Sequence, residues 1–428
     1  MNRVHSLPSV LPLIIAASAA AGDLVGLVPD TIDAPIETTG GIDIAIENES
    51  SHSSWRTRDQ LLGDMGGFRS MLARHGMTFE IESLDEGFAN PDHALNTTGD
   101  SRYAGLTDVI FTIDTDGAGW WQGGRFVVDL QNTRGGDISD VVGDVQGISN
   151  IVAPPGTRFA EYYLKQLFGN ERFCLKIGKQ DANADFVVAD GGGEFINSSF
   201  GIIPTVPLPT FPAPALGLMG GWQASRAIRV KAGYWDGAPT LGSGVSTAIV
   251  DGSGGTVGAI GMEIRPFGGD ILGGTFRVGY WRHSEVEVTD LSNKDLHSPI
   301  TGAAEGIYFT ADQGLWEGDD RLLSLFAQGG WGEADRSAVS RYFGGGLTFS
   351  GPFKGRPDDM VGIGLAYAEI GRSERSHDSH EAETVVELFY RLPVTGWMSL
   401  NPDLQWVHRP GGTDDTALVA GLRVATTF

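Results

Sequence analysis

From Met77 to the end of the chain, hydrophobic and polar residues alternate in stretches of about ten, divided by breaks rich in Gly, Asn, Asp and Ser. The last stretch, DTALVAGLRVATTF from Asp415 to Phe428, is the clearest. Leu418, Ala420, Leu422, Val424, Thr426 and Phe428 share one face, and Ala417, Val419, Gly421, Arg423, Ala425 and Thr427 share the other. Side chains alternate across a strand, so the first face meets something apolar and the second something wetter. Such stretches begin near Met77, Arg102, Gly123, Arg158, Glu171, Leu218, Ala227, Gly254, Gly274, Ala303, Arg321, Arg341, Met360, Ala382, Gly396 and Asp415. That makes sixteen, an even number, as a single-chain antiparallel barrel requires. Apolar stripes such as Phe276, Val278 and Tyr280, or Met398, Leu400, Leu404 and Trp406, suit a lipid-facing surface. The pattern predicts an all-β fold: a transmembrane antiparallel β-barrel over residues 77–428, ending on an aromatic residue.

Ahead of the barrel the pattern changes. In Gln60–His75, the residues Leu61, Leu62, Met65, Phe68, Met71 and Leu72 fall at helical spacing, interrupted by Gly66 and Gly67. A short amphipathic helix over 60–76 is expected. Residues 22–59 are acidic and Ser/Thr-rich with weak periodicity, which fits a flexible periplasmic leader without a fold of its own. Residues 1–21 have the layout of a secretory signal peptide: Arg3, an apolar core from Leu7 to Ala17, and small residues to Ala21, where cleavage is expected. That core is too short to span a bilayer, and no later segment offers ~18 consecutive apolar residues for a membrane helix.

The breaks carry direction. If the first strand runs outward, odd-numbered links are outer loops and even-numbered links periplasmic turns. The odd links 88–101, 134–157, 181–217, 237–253 and 285–302 are long. The even links Gly169-Asn170, Ser225/Arg226, 267–273 and Thr395 are short. Transmembrane barrels have this asymmetry. The link 181–217 is the longest and holds five prolines between Pro204 and Pro214, a stiff run that could fold inward and narrow a pore.

Composition agrees. The 62 glycines suit tight turns and crowded inner faces. A net charge of −24 argues against a nucleic-acid partner, which would call for a basic face. Cys174 is the single cysteine, so there is no internal disulfide.

Opposite the apolar stripes lie charges: Arg125, Lys165, Lys176, Arg229, Lys231, Arg265, Arg277 and Arg423 against Asp129, Glu161, Glu263, Glu383, Glu387 and Asp403. Tyr163, Trp235, Trp281 and His283 join them. A sixteen-stranded barrel is wide enough for an aqueous channel, so these side chains are expected to be solvated and not all paired. Guanidinium and carboxylate groups hydrogen-bond hydroxyls, and aromatic faces stack on C–H patches, so the set suits sugars. Catalysis finds no support. The His377–Asp378–His380 group lacks a clear fourth metal ligand. Asp114-Thr115-Asp116-Gly117 lacks the distal Glu of a calcium loop and reads as a turn. No nucleophile elbow or Ser/His/Asp order is visible, and no cofactor is implied.

The chain resembles the OprB-type carbohydrate-selective porins of the bacterial outer membrane. The resemblance rests on Leu61–Arg69 followed by Gly76–Phe79, and on Gly143–Ile151 with Pro154. It rests also on Arg158–Gln166 with Leu175–Asn183 and Asp185-Phe186, and on Glu383–Asp403 leading to Phe428. It implies a sixteen-stranded outer-membrane barrel passing sugars by diffusion through a narrowed, Arg-containing eyelet. By strand position, Arg125, Asp129, Glu161, Lys165 and Lys176 belong near the constriction, with Arg229, Lys231, Arg277 and Trp281 along the path. The expected partners are sugars as solutes, outer-membrane lipid and lipopolysaccharide, and the barrel-insertion machinery, for which Phe428 is the mark; a monomer and a trimer fit equally. The alternatives are a general porin and a structural or adhesive barrel whose acidic outer loops bind surface polymers or divalent ions.

Overall fold

Sixteen strands form, because each stretch offers an apolar residue to one side and a polar or small one to the other. In a computed structural model, which describes Trp55 and residues 58–91, 100–239, 255–266, 272–289, 299–318, 320–372 and 380–428, they close into one antiparallel barrel. The expectations for residues 1–21, most of 22–59, and His377 and Asp378 lie outside the described residues. The strands are β1 (Met77–Ala89), β2 (Ser101–Asp114), β3 (Gly124–Gly135), β4 (Gly156–Phe168), β5 (Phe173–Gln180), β6 (Ala215–Ser225), β7 (Ile228–Asp236) and β8 (Thr256–Ile264). The second half comprises β9 (Thr275–Thr289), β10 (Pro299–Gly318), β11 (Arg321–Gly332), β12 (Val339–Ser350), β13 (Met360–Ile370), β14 (Ala382–Thr395), β15 (Met398–His408) and β16 (Thr416–Thr427).

Each strand pairs with its sequence neighbour, and β1 pairs with β16 in the register Glu86↔Arg423 and Ala89↔Ala420. Closure leaves no free sheet edge, as a span through lipid demands. On β16, Ala417, Val419 and Arg423 are buried inside while Leu422 is exposed outside, as the alternation predicts.

The helix ahead of the barrel is shorter than expected. Only Phe68–Ala73 is α-helical (α1), preceded by a 3₁₀ turn at Met65–Gly67. Gly66 and Gly67 take φ of 70° and 94°, a left-handed backbone that ends regular helix and that glycine adopts without strain. From α1, Arg69 donates to the Phe79 carbonyl at 2.9 Å and to the Phe428 carbonyl, and its guanidinium lies 4.4 Å from the Phe79 ring centre. One side chain thus ties the chain's last residue to its first strand.

The barrel has a terminal end, carrying α1 and Phe428, and an opposite link end. Links at the link end are 90–100, 136–155, 181–214 and 237–255 in the first half and 290–298, 333–338, 371–381 and 409–415 in the second, where none exceeds the shortest of the first. Terminal-end links are as short as 226–227 and 396–397, but 115–123, 265–274 and 351–359 are longer. The long-short alternation is therefore a property of the first half. Asp114-Thr115-Asp116-Gly117 is a turn: the Asp114 carboxylate accepts the backbone N–H of Asp116 and Gly117 at 3.1 and 2.9 Å.

Many inward glycines sit beneath aromatic rings. The Trp235 indole covers Gly217 and Gly233, Tyr308 covers Gly279, Phe389 covers Gly362 and Phe88 covers Gly421. In each case an added Cβ would fall inside the ring's van der Waals envelope. These glycines let large rings lie flat on the wall, a reason beyond turns for the glycine content.

Candidate functional site

The barrel interior is not an open water-filled tube. Links 136–155 and 181–214 fold into it and pack on the inward face of the strands. Phe195 and Phe200 of the second link meet Phe326 on β11, and Phe195 also meets Phe389 on β14, in tilted or edge-on contacts at centroid distances of 4.9–5.9 Å. Ile138, Val142, Ile148, Phe186 and Val187 join the same apolar cluster as Trp235, Trp281 and Tyr308. Here the structure corrects the expectation of solvated, partly unpaired lumenal charges. Glu383 and Glu387 are fully buried, and Lys176, Arg229 and Arg423 nearly so. A charge leaves water only if partners replace it, and here the links supply them.

Those partners follow a scheme. Glu387 on β14 accepts the backbone N–H of Ile196 at 2.7 Å and of Asn197 at 2.9 Å. Glu383, one strand turn away on the same face, accepts from Val145 at 2.9 Å, Gln146 at 3.2 Å and Gly411 at 2.8 Å. Across the β1–β16 seam, Glu86 holds Arg423 and accepts the Ser149 hydroxyl at 2.6 Å, while Arg423 donates to Asn150. Gln405 bridges both links, donating to the Ile148 carbonyl at 2.8 Å and accepting from the Asn197 amide at 3.0 Å. The links also bond to each other through Ser198 N–H to Gly147 and the Ser198 hydroxyl to Ser149. Strand carboxylates therefore serve as acceptors for loop backbone donors that would otherwise be buried unpaired.

The cations collect on the opposite wall. Register sets Arg125 beside Lys165 and Lys165 beside Lys176. Farther round, Gly221 faces Lys231, Arg229 faces Glu263, and Glu263 faces Arg277. Lys176 pairs with Asp185 of the infolded link at 2.9 Å and lies 4.2 Å from the Tyr163 ring centre. Lys231 donates to the Asp185 carbonyl at 2.9 Å. Glu263 is shared by Arg229 at 3.7 Å, Arg265 at 3.1 Å and Arg277 at 3.1 Å. Arg277 further reaches Asp312 at 3.3 Å and Asp190 at 3.6 Å. Burial opposes the charge of the Asp185 carboxyl, but Lys176, Lys231 and Lys165 outweigh it and hold it below the usual carboxylate range.

The nine expected path residues fall into three groups. Lys165, Arg229 and Lys231 line one cavity together with Asp185, and Lys176, Arg125 and Arg277 extend the same wall. Asp129 and Glu161 sit apart, paired in register within a buried carboxylate group that Asp108 completes. Glu161 accepts the Asp181 N–H at 3.0 Å and so anchors the start of the long link. Trp281, 1 % exposed, belongs to the apolar cluster and covers Gly306, so it packs rather than lining open space. Asp108, Asp312 and Glu86 escaped the sequence reading, and Asp185 and Asn150 entered it as parts of family motifs without a role. Asp108 could have been found by the β2 alternation, whereas Asp185 sits in a link with no period. Among the described residues no His, Cys, Asp or Glu group could hold a metal ion.

Asp144, in the first infolded link, gives the site a pH dependence. Burial first, then the neighbouring Asp137 charge, push its carboxyl up to about 7, against hydrogen bonds from Ser139 and Gly147. Glu383 is the strand carboxylate beside it. A raised folded pKa means that the native state binds more protons than the unfolded chain between the two pKa values. Stability of this link is therefore greatest below the unfolded pKa and falls as pH rises toward 7. Link 136–155 is expected to become more protease-sensitive as pH rises from about 4 to about 7, and Asp144→Asn should flatten that trend. Limited proteolysis in detergent across this range checks it.

Comparison with known proteins agrees with this architecture. Residues 98–428 match the family model described as carbohydrate-selective porin, OprB family. Porin B of Pseudomonas aeruginosa is 26% identical over 435 residues, covering 90% of this chain and 93% of that protein. The putative porin QuiX of Acinetobacter baylyi is 22% identical, covering 87% and 93%. The high-pH structure of Pseudomonas putida OprB superposes with a TM-score of 0.75 at 22% identity, over 88% of this chain and all of that one.

Proposed function

From its membership of the carbohydrate-selective porins of the OprB family, to which this chain belongs, we infer that it is a channel of the bacterial outer membrane that passes sugars by diffusion. The observation that supports a particular route is the division of the interior. The infolded links are held on one side by Glu383, Glu387 and Gln405, and link 181–214 is held on the other by Lys176, Lys231 and Arg277 of the basic wall, so that it crosses the interior. On this reading the link 181–214 is the constriction. Arg125, Lys165, Lys176, Arg229, Lys231 and Arg277 present donors to sugar hydroxyls, and Glu161, with Asp129 beside it in register, holds the link in place.

The terminal end faces the periplasm in this proposal and the link end the exterior. Residues 1–21 act as the export signal. The exposed stripes that include Ile177, Leu218, Ile260 and Leu404 contact lipid, lipopolysaccharide surrounds the link end, and Phe428 is the mark read by the barrel-insertion machinery. Purified protein in planar bilayers is expected to give channels that added sugar partly blocks. Liposome swelling should be faster for glucose than for an amino acid of similar size. Equal rates for glucose, a disaccharide and the amino acid would make it a general porin, and absence of channels would remove the reading.

A further inference from the structure

Resting on the sugar-channel reading, we propose that the basic wall holds a subsite for a carboxylate, so that the preferred solutes are acidic sugars such as hexuronates. The subsite is the cavity between β4, β5, β6 and β7 near the terminal end. Lys165, Arg172, Arg229 and Lys231 line it, with Glu171 and Asp185 as its carboxylates. Four cations thus meet two anions. The Asp185 carboxylate already pairs with Lys176 while its carbonyl accepts from Lys231, which leaves Glu171 as the one lining carboxylate against Lys165, Arg172, Arg229 and Lys231; Glu263, paired in register with Arg229, is itself shared by three arginines. Across the barrel, by contrast, Glu383 and Glu387 give both their oxygens to link N–H groups. The charge left to attract a solute is therefore positive on this wall, although the whole chain is acidic.

Size narrows the class. The cavity encloses about 30 Å³, room for a carboxylate group but not for a sugar ring. The ring must remain in the lumen while the acid group enters, and guanidinium and ammonium donors set around a small pocket suit a carboxylate.

The test is uptake of radiolabelled glucuronate and glucose into proteoliposomes holding the full protein, at equal concentration and moderate ionic strength. The expected initial-rate ratio of glucuronate to glucose exceeds one, and it drops at least several-fold in Lys165→Gln/Lys231→Gln. Raised salt should lower the ratio in the wild type. A wild-type ratio of one or less, with glucose still entering, would overturn the subsite and leave the sugar channel standing. So would a ratio that the double substitution does not change, where both proteins run as folded barrels on unheated gels. Entry of neither solute would overturn the channel reading and the subsite with it.

Discussion

Replacing Glu387 by Ala is expected to raise single-channel conductance several-fold and to weaken discrimination between sugars. The two carboxylate oxygens accept from Ile196 and Asn197, deep inside the barrel. Removing them leaves two buried N–H groups without acceptors, a cost of about 2–6 kcal/mol in all. The Ala side chain fills none of the vacated space. The barrel itself keeps its ladder, because the β13–β14 and β14–β15 pairings are made by backbone alone. The loss therefore falls on the link, which opens locally while the wall stands. Glu387→Gln should fall between the two, since one amide oxygen can replace one acceptor. Conductance in planar bilayers, with cleavage of link 181–214 by added protease as a second readout, decides the matter. Unchanged conductance together with a more sensitive link would mean that the link does not gauge the pore.

Gly217→Val is expected to prevent most of the chain from reaching the folded barrel, while Gly220→Val, three residues along the same strand, is tolerated. At Gly217 a new Cβ falls within the Trp235 indole. That ring cannot swing aside. It is 1 % exposed, and Phe186 meets it edge-on at 5.6 Å. Overpacking a well-filled interior costs about 1–3 kcal/mol or more, and here the strain falls on a hydrogen-bonded wall with little freedom to shift. At Gly220, which points to the outside, a Cβ meets nothing within 4 Å. The fraction migrating as the compact, heat-modifiable form on unheated gels measures both. Equal folding of the two variants would refute the account of glycines as seats for rings.

The strands were legible because their period is 2 and their breaks are chemically distinct. The widest disagreement in a strand start is Ala303 expected against Pro299 observed. The inward face was legible too, from Arg125 and Asp129 on β3 to Arg423 on β16. What the inward charges do was not. Alternation says that Glu383 and Glu387 point inside, but nothing local says that residues 145–146 and 196–197 will meet them. Those contacts join positions far apart in the chain, and the links involved have no periodicity to read. The helix at 60–76 was overestimated for a local reason. Its apolar spacing outweighed Gly66 and Gly67, whose left-handed backbone wins in the structure.

The seam between β1 and β16 bears on the order of assembly. Links 136–155 and 181–214 are synthesised early, yet their anchors Glu383, Glu387, Gln405 and Arg423 lie in the final strands. Contacts of such long sequence separation form late, after loop-closure entropy has been overcome. A nascent barrel still lacking β14–β16 would therefore hold residues 145–146 and 196–197 without their carboxylate acceptors, although residues 181–190 are already tied to β4, β5, β7 and β9. Its bore acquires a set width at the moment the wall is sealed, so an unfinished molecule cannot act as a selective filter.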